Sequence, residues 1–394
     1  MLKKLHILTK RLEIRNLASK HLKYFHAYRS NPEVTKYQGF DVMNKEECAN
    51  FIESQRDKLF GRPGEWVQYG VINRASNILL GDCAIKLQKD DPRIAEIGIT
   101  ISQSHHQKGY AREALMGILS FLFDQNNIHR VQEIVDTENL ASIKLLESIG
   151  FRKEGHFIEN IFFNGKWGSE YQYAMLNREW KKKKNEISVE TYNKSAKQYQ
   201  DRFMEMDLYN DTYDNFCKLI KAENPRILEI ATGPGNVSAY LLENRNDFNL
   251  TGIDLAPNMV ELAKKNVPNA NFLMMDCRDV SQFEGNYDAI MCGFCMPYLS
   301  KEECVKLIED SAALLKENGI VYFSTMEDDY EKSGYETTSF TGEDKVHIYY
   351  HQEVFLSEQL IKSGFKIVEI QRKKFQEPDG SFLTDMIFIA RKAK

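Results

Sequence analysis

The chain has 394 residues, more than one hydrophobic core usually holds, so its length predicts two domains. Its 57 acidic residues exceed its 52 basic residues, and a net charge of -5 argues against a nucleic-acid-binding protein. No apolar run approaches the roughly 18 residues of a membrane-spanning helix, and the first residues lack the apolar core of a signal peptide. We therefore expect a cytoplasmic protein that does not enter the membrane. Its seven scattered cysteines fit reduced thiols.

The pattern of the first half predicts strands and helices in alternation. Short β-rich runs at 66–72, 78–87 and 94–101 are separated by turn residues and predict an antiparallel meander. From Ala111 onward, apolar residues at three-and-four spacing predict a helix with one buried stripe. A strand at 130–135 follows, then a helix capped by Asn139 and ended by Gly150, and strands at 157–163 and 171–176.

Residues 181–188 are polar and unperiodic, and we place a linker there between domains at 1–180 and 189–394. The second half alternates strands and helices, which predicts a parallel sheet. The segments are 227–230, 237–242, 250–254, 259–265, 272–275 and 287–291, then a helix at 301–315 ended by Asn318-Gly319 and a strand at 320–325. The polar, aromatic segment 326–350 is interpreted as an inserted cap, followed by a last helix and strands at 365–373 and 382–390.

Two glycine-rich helix entries predict ligand sites. Gly233-Pro-Gly235 follows an apolar strand, and Asp254 ends the next strand, where its carboxylate can accept hydrogen bonds from ribose hydroxyls. In the first half, Lys108-Gly109 opens a helix whose free amides and dipole favour an anion such as phosphate. The alternative in both places is an ordinary turn. The pair His105-His106 has no second ligand pair at useful spacing, so no metal site is expected.

The run from His106 to Ala111, together with residues 139–151, resembles the GNAT superfamily of acetyl-CoA-dependent N-acetyltransferases, in particular the branch that acetylates ribosomal-protein N-termini and its relatives. The resemblance covers residues 8–180. It implies a mixed, largely antiparallel sheet with helices, in which the strand carrying Ile99 and Ile101 binds the pantetheine amides and Asn139 contacts acetyl-CoA. It also implies a pyrophosphate loop formed by Gln107, Lys108, Gly109, Tyr110, Ala111 and Arg112.

The same resemblance suggests catalytic groups for acetyl transfer. Ser142 matches a serine that lies near the leaving sulfur, although a hydroxyl in a first helical turn also serves as a local backbone partner. A tyrosine common in other branches is absent, and Leu145 and Leu146 occupy that neighbourhood. Glu96 could accept the amine proton, or it could be a solvated carboxylate at the strand end.

Five ordered segments of the second half resemble the class I S-adenosylmethionine-dependent methyltransferases, which have a Rossmann-like fold. They are residues 229–235, 252–259, 275–278, 286–291 and 315–323. The resemblance places Glu229 near the methionine moiety, Gly233 and Gly235 in the loop, Asp254 at the ribose, and Met259 and Asp276 at the adenine. A nicotinamide oxidoreductase could use the same strand, loop and helix.

Other residues of the second half have two interpretations each. Tyr192 and Tyr199 are expected to form a lid over the cofactor. His351 and His347 are candidate bases, with ordinary packing as the alternative. Cys292 and Cys295 have the spacing of a redox dithiol, but in the methyltransferase register they belong to a loop lining the pocket. That loop lacks the Asn-Pro-Pro-aromatic motif, which weakens the case for nucleic-acid amines as methyl acceptors.

These features predict a two-domain α/β protein, a bifunctional transferase that uses acetyl-CoA to acetylate an amine and S-adenosylmethionine to methylate a small molecule. One alternative is an active methyltransferase with a regulatory or partner-binding GNAT domain. Another is an acetyltransferase of protein N-termini.

Overall fold

The computed structural model describes residues 2–37, 41–163, 165–342, 344–377 and 380–393. The chain divides into two compact units, Met1–Lys183 and Lys184–Lys394. The segment predicted as an unperiodic linker, 181–188, is instead part of a helix, Asn177–Lys194. Lys184 and Ser188 on this helix are only 3% and 8% exposed, so the segment has a buried side.

The first unit contains an eight-stranded sheet in the order β1-β2-β3-β4-β5-β6-β8-β7. Its strands are β1 (His6–Leu8), β2 (Leu12–Asn16), β3 (Trp66–Asn73), β4 (Leu79–Leu87), β5 (Ile94–Ile101), β6 (Arg130–Asp136), β7 (Arg152–Phe163) and β8 (Lys166–Leu176). All neighbours pair antiparallel except β5 and β6, which are parallel. This confirms the mixed, largely antiparallel sheet expected from the resemblance.

Strands β5 and β6 pair over three residues only, Ile94–Glu96 against Arg130–Gln132. Beyond Glu96, β5 continues against β4, while β6 continues against β8. The two strands therefore diverge, and we call the opening between 97–101 of β5 and 133–136 of β6 the fork. The main-chain groups of β5 that point into the fork are not paired with β6.

In the part of the first unit that the structure describes, six helices begin: α1 (Leu22–Arg29), α2 (Pro32–Thr35), α3 (Lys45–Gln55), α4 (Tyr110–Ser120), α5 (Leu140–Ile149) and α6 (Asn177–Lys194). The predicted stripe of α4 is buried at Ala114, Leu115, Ile118 and Leu119, which places α4 against the sheet. Helix α5 begins after Asn139 and ends at Gly150, whose φ of 107° is left-handed, as predicted. The sequence reading did not identify β1, β2 or α1–α3.

The second unit contains a seven-stranded sheet in the order β11-β10-β9-β12-β13-β17-β16 and a separate hairpin, β14-β15. The strands are β9 (Arg226–Ile230), β10 (Asn249–Asp254), β11 (Asn271–Met274), β12 (Tyr287–Cys292), β13 (Leu315–Met326), β14 (Gly334–Thr337), β15 (Lys345–Ile348), β16 (Phe365–Gln376) and β17 (Phe382–Lys392). The first five strands of the sheet are parallel, as predicted, whereas β17 and β16 are antiparallel to their neighbours.

The helices of this unit are α7 (Ala196–Phe203), α8 (Asn210–Leu219), α9 (Asn236–Asn244), α10 (Pro257–Asn266), α11 (Lys301–Leu314) and α12 (Glu353–Lys362). Helix α11 ends at Leu314 because Leu315 is already extended, with φ -79° and ψ 143°. The predicted stop at Asn318-Gly319 is therefore wrong. Asn318 has the expected positive φ of 62°, but it lies inside β13.

Both faces of the parallel sheet are buried, as is usual when helices cover a sheet on each side. Leu228, Ile290 and Val321 pack in one apolar cluster, and their neighbours Ile227 and Met291 pack in another. The loops that leave the carboxyl ends of β9, β10 and β12 are thus held on a rigid base. Among the residues described, no helix is long and apolar enough to span a bilayer.

Candidate functional sites

The amino end of α4 forms the first candidate site. Gly109 precedes this helix with a left-handed φ of 75°, a conformation that disfavours side chains with a Cβ. Lys108 extends its ammonium group to the carbonyl oxygen of Ser104, 2.9 Å away. Arg11, which the sequence reading missed, donates to the carbonyl oxygen of Lys108 at 3.0 Å and lies 4.4 Å from the ring centre of Tyr110. The helix amides and two basic side chains therefore converge on one loop, where Arg11 also forms an ion pair with Glu113 of the first turn, its Nε 2.6 Å from Oε2.

Apart from Asn139, the remaining residues predicted for acetyl-CoA lie along this loop, the first turn of α4 and strand β5. Gln107 has a positive φ of 58° and is exposed, as is Arg112, whereas Ala111 is half-buried. Ile99 is half-buried on β5, at the fork, and Ile101 is buried at the end of that strand. The ring of His106 donates from Nε2 to the carbonyl oxygen of Ile101 at 2.7 Å, so this carbonyl already has a partner.

Glu96, one of the two residues predicted to be catalytic in the first unit, forms an ion pair. Its Oε2 lies 2.7 Å from Nζ of Lys86, its cross-strand neighbour on β4. The same ammonium group lies 4.5 Å from the ring centre of Trp66. The carboxylate is thus neither a solvated strand end nor an unengaged base, and any proton transfer to it competes with Lys86.

Ser142, the second predicted catalytic residue, lies in the first turn of α5. Asn139 Oδ1 accepts a hydrogen bond from the Ser142 amide at 3.2 Å, so Asn139 caps the helix as predicted. The Ser142 hydroxyl donates to Oε1 of Glu133 at 3.2 Å. Glu133 is only 5% exposed, and burial raises the pKa of its carboxyl to about 8. The signal that the sequence reading overlooked was an acidic residue that alternates with Val131 and Val135 and so shares their side of β6.

The second unit contains a pocket at the carboxyl ends of β9, β10 and β12. Its empty space, including the open mouth, is about 860 Å³. Five of the seven residues predicted to bind S-adenosylmethionine line it: Tyr192, Gly233, Asp254, Met259 and Asp276. Gly293, Phe294 and Cys295 line it as well, which places the Cys292–Cys295 loop at the pocket as predicted.

Asp254 organises the glycine loop. One carboxylate oxygen accepts from the amide of Gly233 and the other from the amide of Ala256, both at 2.9 Å. Burial raises the pKa of this carboxyl. Ala231, which begins the loop, has a φ of 60°, a conformation that is costly for alanine and that the sequence did not indicate.

Asp276 is held by Arg278, which the sequence reading did not select. Arg278 donates from its amide to Oδ1 of Asp276 at 2.9 Å and from its guanidinium to the same atom at 3.0 Å. Its other guanidinium nitrogens reach Glu303 at 2.7 Å and Asn185 at 2.9 Å. The carboxylate predicted to receive the adenine amine is therefore fixed in orientation.

Glu229 and Gly235 lie behind the pocket wall. The Glu229 carboxylate is buried and accepts a hydrogen bond from the Ser238 hydroxyl, and burial raises its pKa to about 7. Gly235 begins α9 with a φ of 84°. A Cβ at this position would lie 3.2 Å from Val267 and 3.3 Å from the backbone of Ala263, so α9 and α10 pack closely there.

Aromatic side chains cover one side of the pocket. The Tyr192 hydroxyl is hydrogen-bonded to that of Tyr298, and the Tyr192 ring lies 5.8 Å from that of Tyr199 and 5.4 Å from that of Phe340. Tyr192 and Tyr199 lie on α6 and α7, ahead of β9, where a lid was predicted.

His351, predicted as a catalytic base, does not line the pocket. It is fully buried, its Nε2 donates to the carbonyl oxygens of Met296 and Leu299 at 3.1 Å each, and burial lowers its pKa to about 4. The catalytic assignment is therefore corrected: His351 fixes the loop after β12. His347 is also buried, and burial holds its pKa well below the usual range.

Comparison with known proteins agrees with this division. The family described as "Acetyltransferase (GNAT) domain" matches residues 11–152, and that described as "Methyltransferase domain" matches residues 227–319. An uncharacterized N-acetyltransferase of Bacillus subtilis, YnaD, is 32% identical over 176 residues, covering 45% of this chain and 99% of the relative.

Two further relatives match one half each. A putative methyltransferase of Bacillus subtilis, YqeM, is 31% identical over 166 residues, which is 36% of this chain and 66% of the relative. A spermidine N(1)-acetyltransferase of Vibrio cholerae is 28% identical over 163 residues, 40% of this chain and 87% of the relative. The chain is therefore a transferase that belongs to the GNAT acetyltransferases through its N-terminal domain and carries a methyltransferase domain at its C-terminal end.

Proposed function

We propose that the protein is a bifunctional cytoplasmic enzyme, with domains at 1–180 and 189–394, that acetylates an amine with acetyl-CoA and methylates a small molecule with S-adenosylmethionine. The observation that carries this proposal is common to both units. In each, a left-handed glycine, Gly109 or Gly235, belongs to the predicted cofactor loop and directly precedes a helix whose first amides have no side-chain cap.

The fork and the start of α4 fit acetyl-CoA. Main-chain groups of β5 beyond Glu96 are not paired with β6 and can bind the pantetheine amides, and the amides of α4 with Lys108 and Arg11 suit the phosphates. The cofactor supplies the activated acetyl group. The relative named for spermidine supports an amine as the acceptor.

The lining of the pocket in the second unit suits S-adenosylmethionine, because it combines acidic groups for hydroxyl and amine donors with apolar and aromatic side chains. Asp254, which accepts from the amide of Gly233, is the proposed ribose ligand, and Asp276, which accepts from the amide of Arg278, is the proposed acceptor of the adenine amine. The cofactor supplies a methyl group on a sulfonium. Because such a transfer depends mainly on positioning and exclusion of water, the aromatic wall around Tyr192 can assist without a dedicated base.

Binding measurements on the full chain test the proposal. Isothermal titration of Gly109→Arg is expected to show loss of acetyl-CoA binding with S-adenosylmethionine binding unchanged, and Gly235→Arg is expected to show the reverse. Each variant thus serves as the folding control for the other. If the unmodified chain binds neither cofactor, or if each variant binds its own cofactor as the parent does, the proposal is wrong.

Turnover separates the bifunctional enzyme from its alternatives. Labelled acetyl-CoA is supplied with a panel of amines that includes polyamines, and in parallel with ribosomes. Acetylation of small amines supports the proposal. Labelling confined to ribosomal proteins would assign the first unit to protein N-termini, and S-adenosylmethionine binding without any acetyl transfer would assign it a regulatory role.

A further inference from the structure

A buried carboxyl group lies at the point where the sheet of the first unit opens. The last paired residues of β5 and β6 are Glu96 and Gln132, so Glu133 is the first residue of β6 inside the fork. One of its oxygens accepts the Ser142 hydroxyl at 3.2 Å. The other, Oε2, is buried without a hydrogen-bond partner among the described residues. An unpartnered carboxylate oxygen in such a place is costly, whereas a carboxylic acid can be accommodated.

The elements around Glu133 provide little to stabilise a negative charge. From β5, the same face of the sheet presents Ile97, and the sheet-facing stripe of α4 is apolar. On β8, Tyr173 lies opposite Glu133 and donates its hydroxyl to Glu147 of α5 at 2.8 Å. Lys153 of β7 lies opposite Tyr173, one strand further away. Burial accordingly raises the pKa of Glu133 to about 8, so this residue holds a proton at neutral pH.

We propose that Glu133 is a protonated positioning residue that orients Ser142 and supplies, through the Ser142 hydroxyl, the proton taken up by the sulfur that leaves during acetyl transfer. This inference rests on the proposed acetyltransferase function. The proposal gives a source for the proton that sulfur takes up. Such a source is needed because Leu145 and Leu146 lie near the position of the tyrosine found in other branches, and Leu146 is fully buried.

The acceptor nitrogen bonds to the acetyl carbon, and the carbon–sulfur bond breaks with its electron pair remaining on sulfur. For the transfer, the Ser142 hydroxyl rotates from Glu133 to the sulfur, and the protonated Oε1 of Glu133, 3.2 Å from Oγ of Ser142, donates to that oxygen. Ser142 then gives its hydroxyl proton to the sulfur and receives the proton of Glu133. The acceptor nitrogen releases one proton to water, and Glu133 recovers one from water.

The protonation of Glu133 can be tested without turnover. Infrared spectra of the full chain between pH 6 and 10 are expected to show a buried carboxylic-acid carbonyl band that disappears with a midpoint near pH 8. Glu133→Gln removes that band. Glu147→Gln, a change of the same chemistry on α5, retains it, and Ser142→Ala shifts its frequency because one hydrogen bond is lost. A spectrum in which the parent and Glu133→Gln do not differ would overturn the proposal.

The relay is tested by kinetics. We expect Glu133→Gln to lower kcat about 100-fold with KM for acetyl-CoA unchanged, the scale typical of a lost proton donor. The ratio of parent to variant kcat should fall above pH 8, because the parent then loses the same proton, whereas the ratio for Glu147→Gln stays flat. Because parent and variant are measured with the same amine, the effect of the amine's own protonation on kcat cancels in this ratio.

A double variant distinguishes a relay from loose packing. Because Ser142 and Glu133 act on one proton, Ser142→Ala with Glu133→Gln should be about as slow as either single variant. If the losses in kcat of the two single variants multiply in the double variant, Glu133 has a structural role only. The same conclusion follows if the ratio of parent to Glu133→Gln kcat does not change with pH. If the parent acetylates no amine, the proposed function fails instead, while the infrared result still decides the protonation state.

Discussion

Gly235 offers a quantitative test of how the methyltransferase loop is built. Replacement by alanine places a Cβ on a residue with φ 84°, which costs about 1–2 kcal/mol in a left-handed conformation. The Cβ also lies 3.2 Å from Val267 and 3.3 Å from Ala263, and overpacking of this kind costs about 1–3 kcal/mol more. Gly364 is a matched control, because it has a φ of 82° and a Cβ there meets nothing within 4 Å.

We therefore expect Gly235→Ala to lower the free energy of unfolding of the second unit by about 1–3 kcal/mol more than Gly364→Ala. Hydrogen exchange measured by mass spectrometry on peptides of α9 reports this unit. The three tryptophans, Trp66, Trp167 and Trp180, all lie in the first unit, so their fluorescence during urea unfolding provides an internal control that should not change.

The same pair of variants separates stability from binding. S-adenosylmethionine affinity is expected to fall in Gly235→Ala, because relief of the contacts moves the loop, and to be unchanged in Gly364→Ala. Equal exchange rates in the two variants, together with equal affinities, would refute the argument that close packing of α9 on α10 requires a glycine.

Three further outcomes are expected in the second unit. In Asp254→Asn, one of the two carboxylate oxygens that accept from the amides of Gly233 and Ala256 becomes an NH2 donor, and one of these hydrogen bonds is lost. The binding free energy of S-adenosylmethionine measured by calorimetry should weaken by about 1–3 kcal/mol. Burial raises the pKa of Glu229 from its usual 4.5 to about 7 in the folded protein, so its contribution to the free energy of unfolding is present below pH 4.5 and is lost as the pH rises through 7. Urea unfolding of Glu229→Gln should not show this loss of stability. Burial lowers the pKa of His351 from its usual 6.5 to about 4, so the free energy of unfolding should fall by about 3 kcal/mol as the pH falls from 6.5 to 4. His351→Phe should abolish this pH dependence.

The parts of the fold that the sequence predicted are those with strong local signals. The stripe of α4, the capping of α5 by Asn139 and the alternation after β9 all follow from periodicity and helix-end chemistry, which act over a few residues. The short strands β1 and β2 and helix α2 offer too few periods to be recognised.

The residues that sequence reasoning missed depend on contacts between distant segments. Arg11 reaches the loop at Lys108 from 97 positions away, and Arg278 is held by Glu303, 25 positions further along. His351 failed as a base for the same reason, since its burial against Met296 and Leu299 is a tertiary property. A residue type indicates a chemical capability, but burial and partners determine whether the capability is used.

The two glycine loops differ in one respect from the starts of α3 and α11. Helices α3 and α11 begin with Asn44 and Ser300, whose side chains accept from their own first-turn amides in capping boxes. Helices α4 and α9 begin with Gly109 and Gly235, which have no side chain for this purpose, so the amides remain available to an anion.

This contrast predicts a difference between two substitutions at Gly109. Alanine and aspartate share the backbone cost of a φ of 75°, and a Cβ there approaches only the flexible guanidinium of Arg11, at 3.4 Å. Aspartate also places a negative charge where the phosphates are expected, and calorimetry should show acetyl-CoA binding to Gly109→Asp at least 10-fold weaker than to Gly109→Ala. Because two charges repel less when salt screens them, the gap should narrow as ionic strength rises. Equal affinities at low salt would mean that the phosphates do not bind at the start of α4, and acetyl-CoA would then have to be placed elsewhere along the fork.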